Sequence, residues 1–142
     1  MEYRQIGNTD LKVSIVGLGG NTFGPPRIDQ EQTTKNIHRA LELGINFIDT
    51  AIIYTGGASE RFVGNALKGR RNEAVIATKF AFKAREEGVS VRDLIINSCN
   101  ESLSKLQTDH IDLYQVHIPD PNVPEEEIME PLSLLVEQGK VR

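Results

Sequence analysis

At 142 residues the chain has room for one domain with a substantial core, and its 39% hydrophobic and 25% charged content is that of an ordinary globular protein. A net charge of −4 gives no general basic footprint for nucleic acid, no apolar run approaches the ~20 residues of a membrane span, and Met1 to Gln5 lacks the apolar core of a signal peptide. The lone cysteine, Cys99, excludes an internal disulfide framework and points to a reducing, cytoplasmic compartment.

Tyr3 to Val13 holds two short extended pieces around the turn-rich Gly7-Asn8-Thr9-Asp10, the pattern of a hairpin. An apolar run from Val13 to Leu18 reads as the first strand of the main sheet and leads into a glycine-rich loop, Gly19 to Pro26. Asp29 with Gln32 resembles a capping box opening a helix to about Leu43, with Ile37, Ala40 and Leu41 inward and Gly44 as the stop. The second strand is Asn46 to Thr50, followed by a helix from about Ser59 to Lys68. Ala74 to Thr78 is a third strand, apolar until Lys79, and a helix from about Ser90 to Leu106 follows. On that helix Cys99 shares a face with Val91, Ile95, Leu103 and Leu106, which assigns it to packing. Ile111 to Val116 is a fourth strand ending at His117, and Pro124 starts a last helix over Glu125 to Gln138.

After the hairpin, the order is β-α-β-α-β-α-β-α. Strict alternation at this spacing implies right-handed βαβ units and a parallel sheet. Four such strands leave two raw edges, and an eight-stranded βα barrel usually takes ~250 residues. Residues 1–142 therefore read as a single α/β domain that stops after the fourth βα unit: the first half of a (β/α)8 barrel preceded by a β-hairpin. A half-barrel on its own is expected to self-associate through its unpaired edges.

Glycines at 17, 19 and 20 mark the passage from the first strand into its loop, but Thr22 stands where a dinucleotide fingerprint needs its third glycine, and two prolines separate the loop from its helix. Glycine there suits a backbone lying close to a ligand instead. More telling is where the ionisable residues fall. Asp49, Lys79 and His117 each end an apolar strand, and Tyr54 follows Asp49 on a glycine-bearing loop. All lie at the C-terminal ends of their strands, the face on which βα barrels build active sites. Alternation puts Val75, Ala77 and Lys79 on one face, as it does Leu113, Gln115 and His117.

The chemistry of such a set is coherent. A phenol ordinarily ionises near pH ~10 and exchanges protons poorly at neutrality. An adjacent ammonium stabilises its phenolate, a carboxylate keeps that ammonium charged, and a histidine directs a substrate oxygen. The remaining candidates have plainer readings. His38, His110 and the pair Arg70-Arg71 read as solvated, and Glu125-Glu126-Glu127 as acids favouring a helix N-terminus. Asp120-Pro121 trail His117 and are a weaker candidate for the pocket rim; no His/Cys spacing resembles a zinc site. A two-carboxylate hydrolase built on Asp49 and Glu60 is a further alternative, disfavoured by Lys79 and the tyrosine.

Gly44-Ile45-Asn46-Phe47-Ile48-Asp49-Thr50-Ala51, then Tyr54 and Ser59-Glu60, resemble the first signature of the aldo-keto reductase family. Ala77-Thr78-Lys79 and Asp112 to His117 are similar to the strands bearing that family's lysine and histidine, and the opening hairpin resembles its barrel plug. The resemblance implies Tyr54 as general acid, Lys79 tuning it, Asp49 orienting Lys79, and His117 positioning a small carbonyl substrate. It also implies NADPH as hydride donor, with Asn21, Thr22, Asp49 and Tyr54 near the nicotinamide and most other dinucleotide contacts in the second half of the barrel. Thr55 departs from the family, which most often has Gly after the tyrosine. Because the family includes ion-channel-associated subunits, a non-catalytic, nucleotide-binding regulatory role is the alternative.

Overall fold

The computed structural model describes the backbone of residues 1–142 and every side chain except that of Ala84. Two sheets are present. The first is an antiparallel hairpin of β1 (Tyr3–Gln5) and β2 (Lys12–Ser14). The second is parallel and contains, in spatial order, β3 (Gly17–Gly19), β4 (Phe47–Asp49), β5 (Val75–Phe80) and β6 (Leu113–Val116). Helices α1 (Gln30–Glu42), α2 (Ala58–Ala66), α3 (Val91–Leu106) and α4 (Glu125–Glu137) follow the four strands in turn.

Local chemistry explains the helix starts. Asp29 caps α1 by accepting from the Gln32 amide at 2.8 Å, although Gln32 itself turns away to Asn36, so only half of the capping box forms. Ser90 caps α3 through Asp93 N, and Glu125, Glu126 and Glu127 do sit in the first turn of α4.

Register fixes the two faces of the parallel sheet. Leu18, Ile48 and Ile76 lie side by side across three strands, as do Thr78 and Tyr114; this row faces the helices, where Ile48, Ile76, Thr78 and Phe80 are at most 1% exposed. The opposite face presents Gly19, Asp49, Ala77 and Leu113 in one row and Lys79 beside Gln115 in the next. Ile37, Val63, Ile95, Leu106 and Leu135 complete a core between sheet and helices. The α2–α3 approach is close enough to require Gly64, where an added Cβ would fall 2.5 Å from the Leu106 carbonyl oxygen. Cys99 is buried in this core, and burial pushes its thiol up to about 11, which fits packing rather than reactivity.

Several details depart from the expected elements. The apolar run Val13 to Leu18 is not one strand: β2 ends at Ser14, whose hydroxyl donates to Val16 O at 2.6 Å and bends the chain before β3. Asn46 then ties the hairpin to the start of β4, accepting from Ser14 N and donating to Lys12 O. The hairpin thus lies at the N-terminal end of the sheet. At the other edge, Val141 forms a parallel bridge with Ile111, taking up the pairing direction of the four strands.

Three residues expected in solvent are partly buried with partners. His38 Nε2–H donates to Ala66 O at 2.8 Å, joining α1 to α2, and His110 Nδ1 lies 2.6 Å from Asp109. Arg71 is 18% exposed and clamps Asp112, which is 2% exposed, at 2.7 Å. An apolar-looking strand start thus conceals an ion pair whose partners are 41 positions apart.

Candidate active site

Sheet geometry brings the predicted residues to one rim. Asp49 ends β4, and the chain beyond it stays paired to β5: Thr50 N donates to Ala77 O and Ile52 N to Lys79 O. This extra pairing holds the segment leading to Tyr54 against the strand that bears Lys79. His117 follows β6 and its amide donates to Phe80 O at 2.9 Å, so it too is anchored on β5.

Within this frame the Lys79 ammonium donates to Asp49 Oδ1 at 2.6 Å and to Thr50 O at 2.7 Å. Its side chain is 13% exposed and that of Asp49 35%. The ammonium lies 5.2 Å from the Tyr54 ring centroid, and the Tyr54 and His117 rings meet edge to face at 5.4 Å and 81°. Four residues from separate segments thus form one contiguous set. Burial first, then the charges of Lys79 and Lys83, hold the His117 imidazole below its ordinary pKa, with Asp49 pulling the other way. His117 is therefore a neutral ring at neutral pH, and its Nδ1 is buried without a partner.

The Tyr54 loop is built from unusual backbone. Thr55, Gly56 and Gly57 all have positive φ, at 48°, 63° and 81°. Thr55 is the departure noted above, and a β-branched residue in left-handed conformation costs ~1–3 kcal/mol. Its hydroxyl offsets part of that cost by donating to Phe23 O at 2.6 Å, which ties the loop to the glycine-rich segment. That segment forms a short 3₁₀ turn, Gly20–Thr22, at the C-terminal end of β3 on the same rim. Asn21 is exposed on it, Thr22 half-buried, and Gly19 faces open space where a Cβ would touch nothing within 4 Å.

Beside His117, a hollow of about 470 Å³ opens among Phe82, Lys83, Arg85, Ile118 and Asp120. Asp120 lines this hollow, and its Oδ1 accepts from the Asn122 amide. The two-carboxylate alternative fails on placement. Glu60 is fully buried and bonded to Thr78 on the helix side of the sheet, whereas Asp49 occupies the other face. Among the described residues no cluster of three metal-ligating side chains occurs, and no helix is long and apolar enough to cross a membrane.

The polar atoms present suit a planar, carboxamide-bearing ring on this rim. Gln115 Oε1 and His117 Nδ1 are buried and unpartnered on the inner face, and Gly19 leaves its backbone open to approach beside Asp49. Ser102 Oγ and Glu60 Oε2 are unpartnered too, but behind the sheet. Sequence reasoning named Glu60 but not its place behind the sheet, and it did not single out Ser102.

Comparison with known proteins agrees with this architecture. The family model described as "Aldo/keto reductase family" matches residues 15–142. Aldo-keto reductase YhdN from Bacillus subtilis is 41% identical over 150 residues, covering 100% of this chain and 45% of its own. A Schizosaccharomyces pombe protein named "Putative voltage-gated potassium channel subunit beta" is 40% identical over 147 residues, covering 97% and 42%. The holo form of aldo-keto reductase AKR11C1 from Bacillus halodurans superimposes with a TM-score of 0.87 and 40% identity, over 100% of this chain and 48% of that one. The chain spans less than half the length of these relatives, and its four βα units with their hairpin form the first half of their (β/α)8 barrel. With the match running through nearly every residue, the chain belongs to the aldo/keto reductase family.

Proposed function

We propose that this chain carries the proton-handling groups of an NADPH-dependent reductase that converts aldehydes or ketones to alcohols. The observation that carries this reading is the Lys79 ammonium, fixed by Asp49 and Thr50 and set 5.2 Å from the Tyr54 ring with His117 packed against it. Tyr54 gives its hydroxyl proton to the carbonyl oxygen. The Lys79 charge stabilises the phenolate left behind, and Asp49 keeps that charge in place. His117, neutral at working pH, donates a ring N–H to the same oxygen and so orients the carbonyl without surrendering a proton. Asn21, Thr22, Asp49 and Tyr54 would hold the nicotinamide end of NADPH, which when bound supplies the hydride. The hollow beside His117 receives the rest of the substrate, and its Phe82 and Ile118 walls favour an apolar body.

The test is NADPH oxidation with an aldehyde substrate, measured by absorbance on the protein. Tyr54→Phe should lower kcat by ~10²–10⁴-fold, the usual contribution of a positioned acid. Turnover retained in that variant overturns the assignment. A second reading, a nucleotide-binding regulatory subunit, is favoured by the 40% identity to the protein named as a channel subunit. Tight NADPH binding without turnover across an aldehyde panel would select it.

A further inference from the structure

Behind the rim, on the helix side of the sheet, the first turn of α2 carries two fully buried polar residues, Ser59 and Glu60. Ser59 Oγ donates to Gly20 O at 2.7 Å and lies 2.8 Å from Thr50 Oγ1. Glu60 Oε1 accepts from Thr78 Oγ1 at 2.7 Å. The three residues gripped are the chain neighbours of Asn21, Asp49 and Lys79. One dipeptide therefore holds, from the back, the Gly20 carbonyl and the Thr50 and Thr78 hydroxyls, each beside a residue that presents the site at the front. The same turn of helix continues directly from the loop that carries Tyr54.

The bond to Thr78 accounts for only one oxygen of Glu60. Its Oε2 is buried without a partner, and so is Ser102 Oγ on the adjacent turns of α3. Ser102 lies close enough to act on the carboxyl, though the bond between them is not completed in the geometry shown. An ionised carboxylate in this position, with a single neutral donor, is costly. Burial pushes the Glu60 carboxyl above its ordinary pKa, against the pulls of Thr78, Ser102 and Lys105. The charged groups facing it, Lys105 and Glu101 on α3, pair with each other at 2.6 Å and so largely cancel. Cys99 on α3 and Tyr114 on β6 also face it; burial raises the pKa of both, which keeps them uncharged. One proton on Oε2 resolves both orphaned atoms, with Oε2–H donating to Ser102 Oγ while Oε1 accepts from Thr78.

We propose that Glu60 is a positioning residue for Lys79: a neutral carboxylic acid that bridges Thr78 on β5 to Ser102 on α3 and sets the β5 strand end so that the Lys79 ammonium meets Asp49 and Thr50. This inference rests on Lys79 being a group of the reductase site, but its test does not depend on turnover. The primary readout is nitrogen-15 NMR of lysine ammonium groups in the full chain. Lys79, bonded twice and 13% exposed, gives a slowly exchanging signal that is identified by its loss in Lys79→Met.

Glu60→Gln reproduces both bonds, since its amide accepts from Thr78 and donates to Ser102, and it keeps that signal. Glu60→Ala and Thr78→Val lose it while the backbone amide spectrum stays folded. Should Glu60→Ala fail to fold, Thr78→Val decides. A Lys79 signal unchanged in Thr78→Val overturns the positioning role, and its loss in Glu60→Gln overturns the neutral acid. Infrared spectra at neutral pH should contain the carbonyl band of a protonated carboxylic acid that disappears in Glu60→Gln; its absence from the wild type also overturns the neutral form. Failure of the reductase reading registers separately, as turnover retained in Tyr54→Phe with the Lys79 signal intact.

Discussion

The molecule holds a carboxylate–cation pair at each end of its parallel sheet, and the two are built differently. At the N-terminal end Asp112 is 2% exposed and saturated: Oδ2 accepts from Arg71 at 2.7 Å and from the Ile76 amide at 2.9 Å, and Oδ1 from Arg142 at 3.1 Å. Arg71 in turn donates to Ala74 O, His110 O and Thr108, and Arg142 reaches Asp10 in the hairpin turn. At the C-terminal end the Asp49–Lys79 pair is more open, and its neighbours Gln115 and His117 keep unpartnered buried atoms. A saturated network has no capacity left for a ligand. An incompletely satisfied one does, at some cost in stability. The same chemical pair thus serves as a fastening at the floor and as machinery at the rim, in keeping with the division of labour between the two ends of βα barrels.

Mutations can break or sharpen this contrast. The largest effect is expected at the floor. Asp112→Ala strands Arg71 and the Ile76 amide in a buried setting and should cost about 3–5 kcal/mol in chemical unfolding, the usual penalty for halving a buried pair. A loss below ~1 kcal/mol would show that the floor pair is not the fastening described. The rim counterpart, Asp49→Asn, should cost no more than ~1 kcal/mol, as expected of a partly exposed ion pair, while turnover falls and KM changes little. Equal losses of stability at both ends would erase the distinction between them.

A smaller effect separates the ends by pH. His117 has a folded-state pKa below its unfolded value near ~6.5. As pH falls through that value the unfolded chain takes up a proton that the folded chain refuses, so stability drops from there down to the folded pKa and is complete above it. Melting temperatures between neutral and mildly acid pH should fall less steeply in His117→Gln than in the wild type. An unchanged slope would remove His117 from the groups held neutral at the rim.

Much of this was legible in the residues. Alternation placed Lys79 with Val75 and Ala77, and Asp49 at the end of an apolar strand, because strand parity and helix capping are local properties that the chain states over a few positions. What stayed hidden was pairing at long range. Nothing around Arg71 announces Asp112, so an arginine pair on a turn reads as solvated until the fold closes 41 residues of chain. Ser14 similarly hides a bend inside an apolar run, since its side-chain bond to Val16 competes with strand extension. Glu60 shows the same limit at the site itself: its place in the signature was visible, but which face of the sheet it served was not. Thr55 was visible as a departure, and only the backbone reveals that it occupies a left-handed position and that its hydroxyl secures the loop.

The pleat of β5 has a consequence for how such a chain can change in length. Lys79 and Phe80 are adjacent and point to opposite sides, one to the rim chemistry and one into the fully buried layer beneath the helices. Deleting a single residue between Val75 and Lys79 would exchange them, sending an ammonium into the core and an aromatic ring into the site. Deleting two would restore the faces but lower the lysine by ~6.6 Å along the strand, out of reach of Asp49. The strand therefore behaves as a reading frame in three dimensions, intolerant of every small insertion or deletion. Variation in length has to fall elsewhere, as in the exposed turn from Arg85 to Gly88, where the side chains meet solvent and no pleat is kept.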